Sequence, residues 1–289
     1  MRVEVTDGAG FVGSHVAAYL AVRGFRVVAV DNLERASAVR RLEEVGVPLV
    51  VGDVRRVDLQ PADAVVDAAY INVEESWERP YDYVWNNAAA TARVAKQCAE
   101  TGARLIYISS AAVYGEPQRL PIDENHPTKP LSPYGLSKLA GEQVAQMLAS
   151  GAAVLRLFNV YGPGQTGPYA GVVSKFIERA KRGLPPVIYG DGTQTRDFIH
   201  VSDVARLVEV VLDRGAAGVY NVGTGRAVSI RELAAIVMRL AGLGGEPLYA
   251  PPRPGDVKHS AADVSKAKSL GWQPQMPLEK GLRRLWTTW

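Results

Sequence analysis

Cysteine is nearly absent from the chain. Cys98 stands alone, so an intramolecular disulfide is excluded and a structural zinc cluster is disfavoured. It reads instead as a small buried apolar residue of a helix. Histidine is scarce too: His15, His126, His200 and His259 include no pair at metal-ligand spacing, so no metal site is expected. No run of basic residues interrupts a small, dispersed net charge of +3, which supports neither a nucleic-acid nor a membrane partner. No apolar stretch reaches bilayer length, and the N-terminus carries neither a basic leader nor a cleavable apolar segment. The expectation is a cytoplasmic protein. Internal repeats and low-complexity segments are missing, and 289 residues suffice for one large α/β domain or two coupled ones.

What is present begins at the first residue. Met1–Thr6 alternates apolar and polar residues and is rich in β-branched ones, so it reads as a strand. Asp7-Gly-Ala-Gly-Phe-Val-Gly-Ser-His15 follows, and the chain then turns helical through Val22. Gly8, Gly10 and Gly13 fit G-x-G-x-x-G. Two glycines permit a tight turn and close approach to a pyrophosphate, and the third permits close helix-on-strand packing. The N–H groups of the first helical turn face the phosphates. After Gly24, Phe25–Val30 forms a second apolar strand that ends at Asp31. An acid there accepts hydrogen bonds from a ribose 2′-hydroxyl and repels a 2′-phosphate, which predicts NAD rather than NADP.

A helix over Ala38–Glu44 leads to a third strand at Pro48–Gly52 and to Asp53-Val54, a floor for adenine; Ala64–Ala69 is a fourth strand with small residues at its end. Strands and helices alternating in this way predict a doubly wound parallel sheet of the Rossmann type, whose ligands lie beyond the carboxyl ends of the strands. Pro80–Glu100 reads as one long helix whose Asn86, Asn87 and Thr91 would ordinarily face solvent. Arg104–Ser110 is a buried strand stopping at Ser109 and Ser110, where this architecture places chemistry, although paired serines also simply form turns.

Ser132 is an N-cap and Pro133 the first residue of the next helix, which sets Tyr134 and Lys138 on one face with Cβ atoms about 5–6 Å apart. An unperturbed tyrosine titrates near 10, and lowering it by roughly three units takes about 4 kcal/mol. One cation about 4–5 Å away at an effective dielectric near 20 supplies that much, so Lys138 is expected to suffice.

These stretches, with Ala68–Ser76, Asn87, Ser109–Gly115, Arg156–Gly164, Gly190–Val204, Tyr220–Gly225 and Arg253–Asp256, resemble the extended short-chain dehydrogenase/reductases. Within that family they are similar to the nucleotide-sugar 4-epimerases of the UDP-glucose/UDP-galactose type. The resemblance implies a tightly held NAD, a UDP-sugar substrate and a homodimer paired through the helices at Pro80–Glu100 and Tyr134–Leu148. It implies a cofactor domain over 1–161, with a returning segment near 195–225, and a smaller α/β nucleotide-sugar domain over 162–289. Residue by residue, it implies cofactor contacts from Gly8, Gly10, Phe11, Val12 and Gly13, from Asp31, Asn32 and Leu33, and from Asp53 and Val54. Further contacts fall on Ala68, Ala69, Tyr70, Asn87, Ser109, Tyr134, Lys138 and Phe158.

By the same resemblance, Tyr134 is the general base toward the sugar 4-hydroxyl, Ser110 bonds the same oxygen, and Lys138 supports both. The hydride leaves C4, and the ketone turns its other face to take it back. Asn159 touches the sugar, Val187 and Tyr189 border the base, Arg196 and Arg253 hold the diphosphate, and Asp256 holds a ribose hydroxyl or braces Arg253. Ala111 and Ala112 stand where related dehydratases carry an Asp-Glu pair for eliminating water, which favours epimerisation over dehydration. Another nucleotide-sugar dehydratase or reductase is the nearest alternative. A non-catalytic NAD-sensing regulator is the other, and it fits less well with Ser110, Tyr134 and Lys138 all present.

The chain departs from the pattern at three places. Asp7 replaces the first family glycine and sets a carboxylate near the pyrophosphate, so NAD is expected to be held more weakly than is usual. Asp67 is polar where relatives have an apolar residue. Ser260 stands where bulky residues restrict relatives to plain hexoses, leaving room for a 2-N-acetyl group.

Overall fold

The structure is a computed structural model and describes residues 1–34, 36, 38–68, 74–167, 170–252 and 257–288. The first half runs β1 (Arg2–Thr6), α1 (Phe11–Val22), β2 (Arg26–Asp31), α2 (Val39–Glu44), β3 (Leu49–Val51), β4 (Ala64–Asp67), α3 (Pro80–Tyr83), α4 (Ala90–Thr101), β5 (Arg104–Ser110), α5 (Pro133–Leu148) and β6 (Ala153–Leu157). The second runs β7 (Asn159–Tyr161), α6 (Val172–Lys181), β8 (Val187–Tyr189), β9 (Thr195–Arg196), β10 (Phe198–His200), α7 (Val201–Arg214), β11 (Gly218–Val222), β12 (Val228–Ser229), α8 (Ile230–Ala241), β13 (Leu248–Ala250), α9 (Ser265–Ser269) and α10 (Leu278–Thr288).

Seven strands form one parallel sheet in the order β3-β2-β1-β4-β5-β6-β11, the doubly wound arrangement expected from the alternation of elements. Helices cover both faces, so strands such as Ala64–Asp67 are buried along their whole length. The main core joins Val3, Val5 and Ile106 of the sheet to Leu20 of α1 and Leu207 and Val211 of α7. A smaller core gathers Phe176 and Ile177 of α6, Ile188 of β8, Leu233 and Val237 of α8, and Leu282 and Leu285 of α10. Cys98 is buried in α4, as its isolation suggests.

The stretch expected as a single helix from Pro80 to Glu100 is helical but not uniform. Between α3 and α4 the segment Val84–Ala89 is a π-helix. Its wider turn changes which side chains face inward, and no apolar period announces such a turn in a sequence. Asn87 and Thr91, which would ordinarily face solvent, are both buried here.

Glu4 is an anomaly in β1. It lies between Val3 and Val5 with only 1% of its surface exposed. Burial pushes its carboxyl from the usual 4.5 up to about 7, against the opposing hydrogen bond from the Gln60 amide and the charge of Arg2. Such a group is protonated in the folded chain and ionised in the unfolded one between these values. Stability therefore falls as pH rises from about 4.5 to about 7 and stays reduced above. Glu4→Gln removes that dependence. Its effect on unfolding free energy, measured by urea titration, is expected to be about 2–3 kcal/mol more favourable at pH 8 than at pH 5.

Candidate active site

β1 enters the glycine-rich turn through Asp7, whose φ of 50° lies in the left-handed region. The turn closes by a bond from the Gly10 amide to the Asp7 carbonyl at 2.9 Å, and the Gly8 amide reaches the Val30 carbonyl at 3.1 Å. A Cβ at Gly8 would come within 2.5 Å of the Ala29 side chain, and one at Gly13 would strike the Asp7 carbonyl. Both positions thus demand glycine for the packing of turn on strand and helix. Asp31, nearly buried at the end of β2, accepts from the Ala9 amide at 3.0 Å and the Leu33 amide at 2.7 Å. Its carboxylate therefore braces the turn, and its remaining lone pairs are what a ribose hydroxyl would use.

The other half of the site comes from β5 and α5. Ser132 caps α5 by accepting from the Gly135 amide at 3.1 Å, and Pro133 opens the first turn. Tyr134 and Lys138 then share a buried face. Ser110 lies beside the Tyr134 phenol and favours its ionised form. The Lys138 ammonium donates to the Ile108 carbonyl at 2.8 Å and sits 4.9 Å from the centre of the Tyr107 ring. The two serines that end β5 meet different residues of α5. Ser110 faces Tyr134 and accepts from the Ala112 amide, whereas the Ser109 hydroxyl donates to Glu142 at 2.5 Å.

Lys138 alone does not set the proton affinities here. Burial pushes the Tyr134 phenol up to about 12, with Ser110 pulling the other way. Burial also lowers Lys138 to about 8, opposed by Asp67, Asp7 and Glu142. In a dry site both groups are driven toward neutrality, and a pairwise Coulomb estimate omits that desolvation.

Several features suit a dinucleotide lying from the turn to Tyr134. The cradle is one that side chains would fill. The buried Asn87 donates Nδ2 to Ser137 at 2.8 Å and leaves Oδ1 without a hydrogen-bond donor among the described residues. Arg41, half-buried, reaches Ser14 in the first turns of α1 at 2.7 Å and the Pro163 carbonyl at 3.0 Å, and makes no ion pair among the described residues. A cation held beside a helix N-terminus is disfavoured unless an anion joins it, and a diphosphate is such an anion.

The remaining sequence-derived positions fall as follows. Phe11 and Val12 are buried at the start of α1, and Phe11 meets His15 edge-on at 5.7 Å. Asn32 and Leu33 are exposed after β2, while Ala68 is buried and donates its amide to the Thr6 hydroxyl. Asp53 is engaged by Arg55, whose hydrogen bonds hold the carboxyl below its usual range, and Val54 packs on the sheet. Phe158 is buried 6.5 Å from the Tyr114 ring. Asn159 opens β7, its amide bonded to the Asp197 carbonyl. Val187 is half-buried, Tyr189 is 39% exposed, Arg196 lies half-buried in β9, and the buried Ser260 donates its amide to the Thr195 carbonyl. Ala69, Tyr70, Arg253 and Asp256 lie outside the described residues.

Residues 3–223 match the model of the NAD dependent epimerase/dehydratase family. The chain belongs to that family. A putative UDP-glucose 4-epimerase of Methanocaldococcus jannaschii is 38% identical over 297 residues, covering 98% of this chain and 96% of the relative. The UDP-N-acetylglucosamine 4-epimerase of Methanobrevibacter ruminantium, solved with UDP-N-acetylmuramic acid, superposes with a TM-score of 0.92 at 32% identity, covering 99% of this chain and 98% of that one. The Thermus thermophilus UDP-glucose 4-epimerase, solved with NAD, gives 0.88 at 35% identity, covering 98% and 97%.

Three sets of buried groups hold this site of the epimerase/dehydratase fold together in ways that no motif spells out. Asp67 accepts from the hydroxyls of Thr6 and Thr91, both at 2.8 Å, tying β1, β4 and α4 beneath Lys138; an acid ending an apolar strand was its only signal. Glu142 and Arg156 form an ion pair at 2.7 Å, and Arg156 continues to the Tyr114 hydroxyl at 3.0 Å and thence to Asn221. Asp197 accepts from the amides of Thr224, Gly225 and Ala262 and from the Thr224 hydroxyl, joining three distant segments.

Proposed function

We propose that the protein is an NAD-dependent nucleotide-sugar 4-epimerase that interconverts UDP-glucose and UDP-galactose. The observation that carries this reading is the buried Tyr134 one helical turn from the buried Lys138 in α5, beside Ser110 at the carboxyl end of a central strand. Gly8, Gly10, Gly13, Asp31, Arg41 and Asn87 would hold the cofactor. When bound, NAD supplies a reversible hydride acceptor and, in its oxidised form, a positive ring that opposes the burial of the phenol.

Tyr134 takes the proton of the sugar 4-hydroxyl, and Ser110 holds that oxygen in line as the C4–H bond gives up its hydride. Lys138 stabilises the phenolate for as long as it lasts. In the return direction Tyr134 gives the proton back to the oxygen of the turned ketone, so protons and electrons balance over the cycle. Ala111 and Ala112 present no acid or base to the neighbouring carbons, which supports epimerisation without loss of water. Arg196 and Arg253 are assigned to the diphosphate, Val187 and Tyr189 to the base, Asn159 to the sugar and Asp256 to a ribose hydroxyl.

A cofactor part over 1–161 with its returning segment, a nucleotide-sugar part over 162–289, and a homodimer through the α3–α4 and α5 faces complete the proposal. Tyr81, Leu136 and Met147 support the last point, being 75%, 54% and 76% exposed on those elements. Incubation with UDP-galactose and NAD followed by chromatographic separation of the epimers tests the activity. Persistence of the starting sugar alone would refute it.

The buried Ser260 favours a second substrate pair, the UDP-N-acetylhexosamines, because a small side chain there leaves volume beside C2. Ser260→Tyr is expected to lower turnover of the N-acetyl pair at least about tenfold more than that of the plain pair. Equal loss on both pairs would contradict the assignment.

A further inference from the structure

α5 lies against β5 along a close seam. A Cβ on Gly141 would strike the Tyr107 hydroxyl, and one on Gly135 would come within 2.6 Å of the Ala112 carbonyl. Between these two points the Lys138 ammonium donates to the Ile108 carbonyl at 2.8 Å. Ser110 accepts from the Ala112 amide at 3.1 Å, so the contact of Gly135 with Ala112 also sets how near Tyr134 comes to Ser110.

Glu142 anchors the far end of the seam. Tyr134, Lys138 and Glu142 follow one another at intervals of four and are buried on one face of α5. The Glu142 carboxylate accepts from the Ser109 hydroxyl of β5 at 2.5 Å, and from Nε and Nη2 of Arg156 in β6 at 2.9 and 2.7 Å. Ser109 and Arg156 stand opposite each other in the β5–β6 register, so one carboxylate ties the helix to two adjacent strands. Arg156 is itself held by the Tyr114 hydroxyl at 3.0 Å and the Glu124 carbonyl at 3.3 Å, and Tyr114 donates to Asn221 of β11 at 2.7 Å.

We propose that the Glu142–Arg156 pair is a positioning device for the chemistry, fixing where α5 stands along β5 and thereby placing Tyr134 against Ser110. This rests on the reading of Tyr134 and Lys138 as the groups that act on the sugar. A buried ion pair contributes little net stability compared with apolar side chains of similar volume. What it supplies is direction. Leucines at 142 and 156 can pack at several shifts of helix on sheet, whereas a carboxylate, a forked guanidinium and a hydroxyl meet in one. Glu142 is about 12 Å along the helix from Tyr134, and a rigid helix carries a shift at one end to the other. Misplacement of a reacting group by about 1 Å costs up to about a hundredfold in rate.

The test sets the wild-type protein beside the double variant Glu142→Leu/Arg156→Leu, in which both charges leave together. The double variant is expected to melt within about 5 °C of wild type. Its NAD dissociation constant and its KM for UDP-galactose are expected to stay within about twofold while kcat falls at least about tenfold. A wild-type kcat overturns the proposal. So does a variant in which kcat, KM, NAD affinity and melting temperature all deteriorate together, since that would be loss of structure. Ser109→Ala removes one contact of the carboxylate and leaves the ion pair in place, and it decides alone should the double variant not fold. Its kcat is expected to fall about threefold or more with KM and NAD affinity unmoved. An unchanged kcat, or a loss confined to NAD affinity, overturns the proposal. Absence of interconversion by the wild-type protein would instead bring down the reading of Tyr134 and Lys138 itself, and this inference with it.

Discussion

Tyr134→Phe is expected to slow interconversion of the sugars by roughly a thousandfold while leaving the fold and cofactor binding intact. The phenol is almost completely buried, beside Ser110 at the end of β5. Phenylalanine fills the same space without a proton to exchange, so little packing is lost. What disappears is the group that removes the 4-hydroxyl proton and returns it. The measurement is kcat with UDP-galactose, coupled to oxidation of the UDP-glucose formed, together with a cofactor titration. Wild-type rates from the variant would remove Tyr134 from the chemistry. An alanine substitution would blur the result, because it would also open a cavity against α5.

The second large effect is on stability. Arg156→Leu is expected to cost about 3–5 kcal/mol of unfolding free energy, lowering the melting temperature by roughly 10 °C. Glu142 is 1% exposed, and Arg156 contacts both of its carboxylate oxygens. With the guanidinium gone, the carboxylate keeps, among the described residues, the Ser109 hydroxyl at 2.5 Å. An uncompensated buried charge is the penalty, and the lost stacking of Arg156 on the Tyr114 ring, 4.8 Å from its centre, adds to it. Glu142→Leu combined with Arg156→Leu is expected to recover a large part of the loss, since both charges then leave together. Thermal and urea unfolding of the single and double variants check both statements.

Much of the fold was legible because its parallel strands are apolar runs ended by polar or acidic residues, as at Arg26–Asp31 and Arg104–Ser110. The turn from Asp7 to Gly13 was legible because the demand for glycine is local and steric. The π-helical turn at Val84–Ala89 was not, since its sequence carries the same apolar pattern as an ordinary helix. The proton affinities were not legible for another reason. The charge of Lys138 can be read from the chain, but the burial that raises Tyr134 is created by elements distant in sequence. The Asp197 hub shows the same limit: its donors at Thr224, Gly225 and Ala262 come together only in the folded chain.

Strand β11 borders β6 through five consecutive register pairs, Gly218↔Ala153 to Val222↔Leu157, although 60 residues of other structure intervene between the two segments' ends. A fragment stopped at Tyr161 would expose the unpaired rim of β6 and strip α7 from α1, leaving a sticky ledge open to neighbouring chains. The two halves are therefore interlaced like clasped hands, and the protein is a unit of synthesis as well as of catalysis: ribosomes must deliver the chain beyond Val222 before the first half can close.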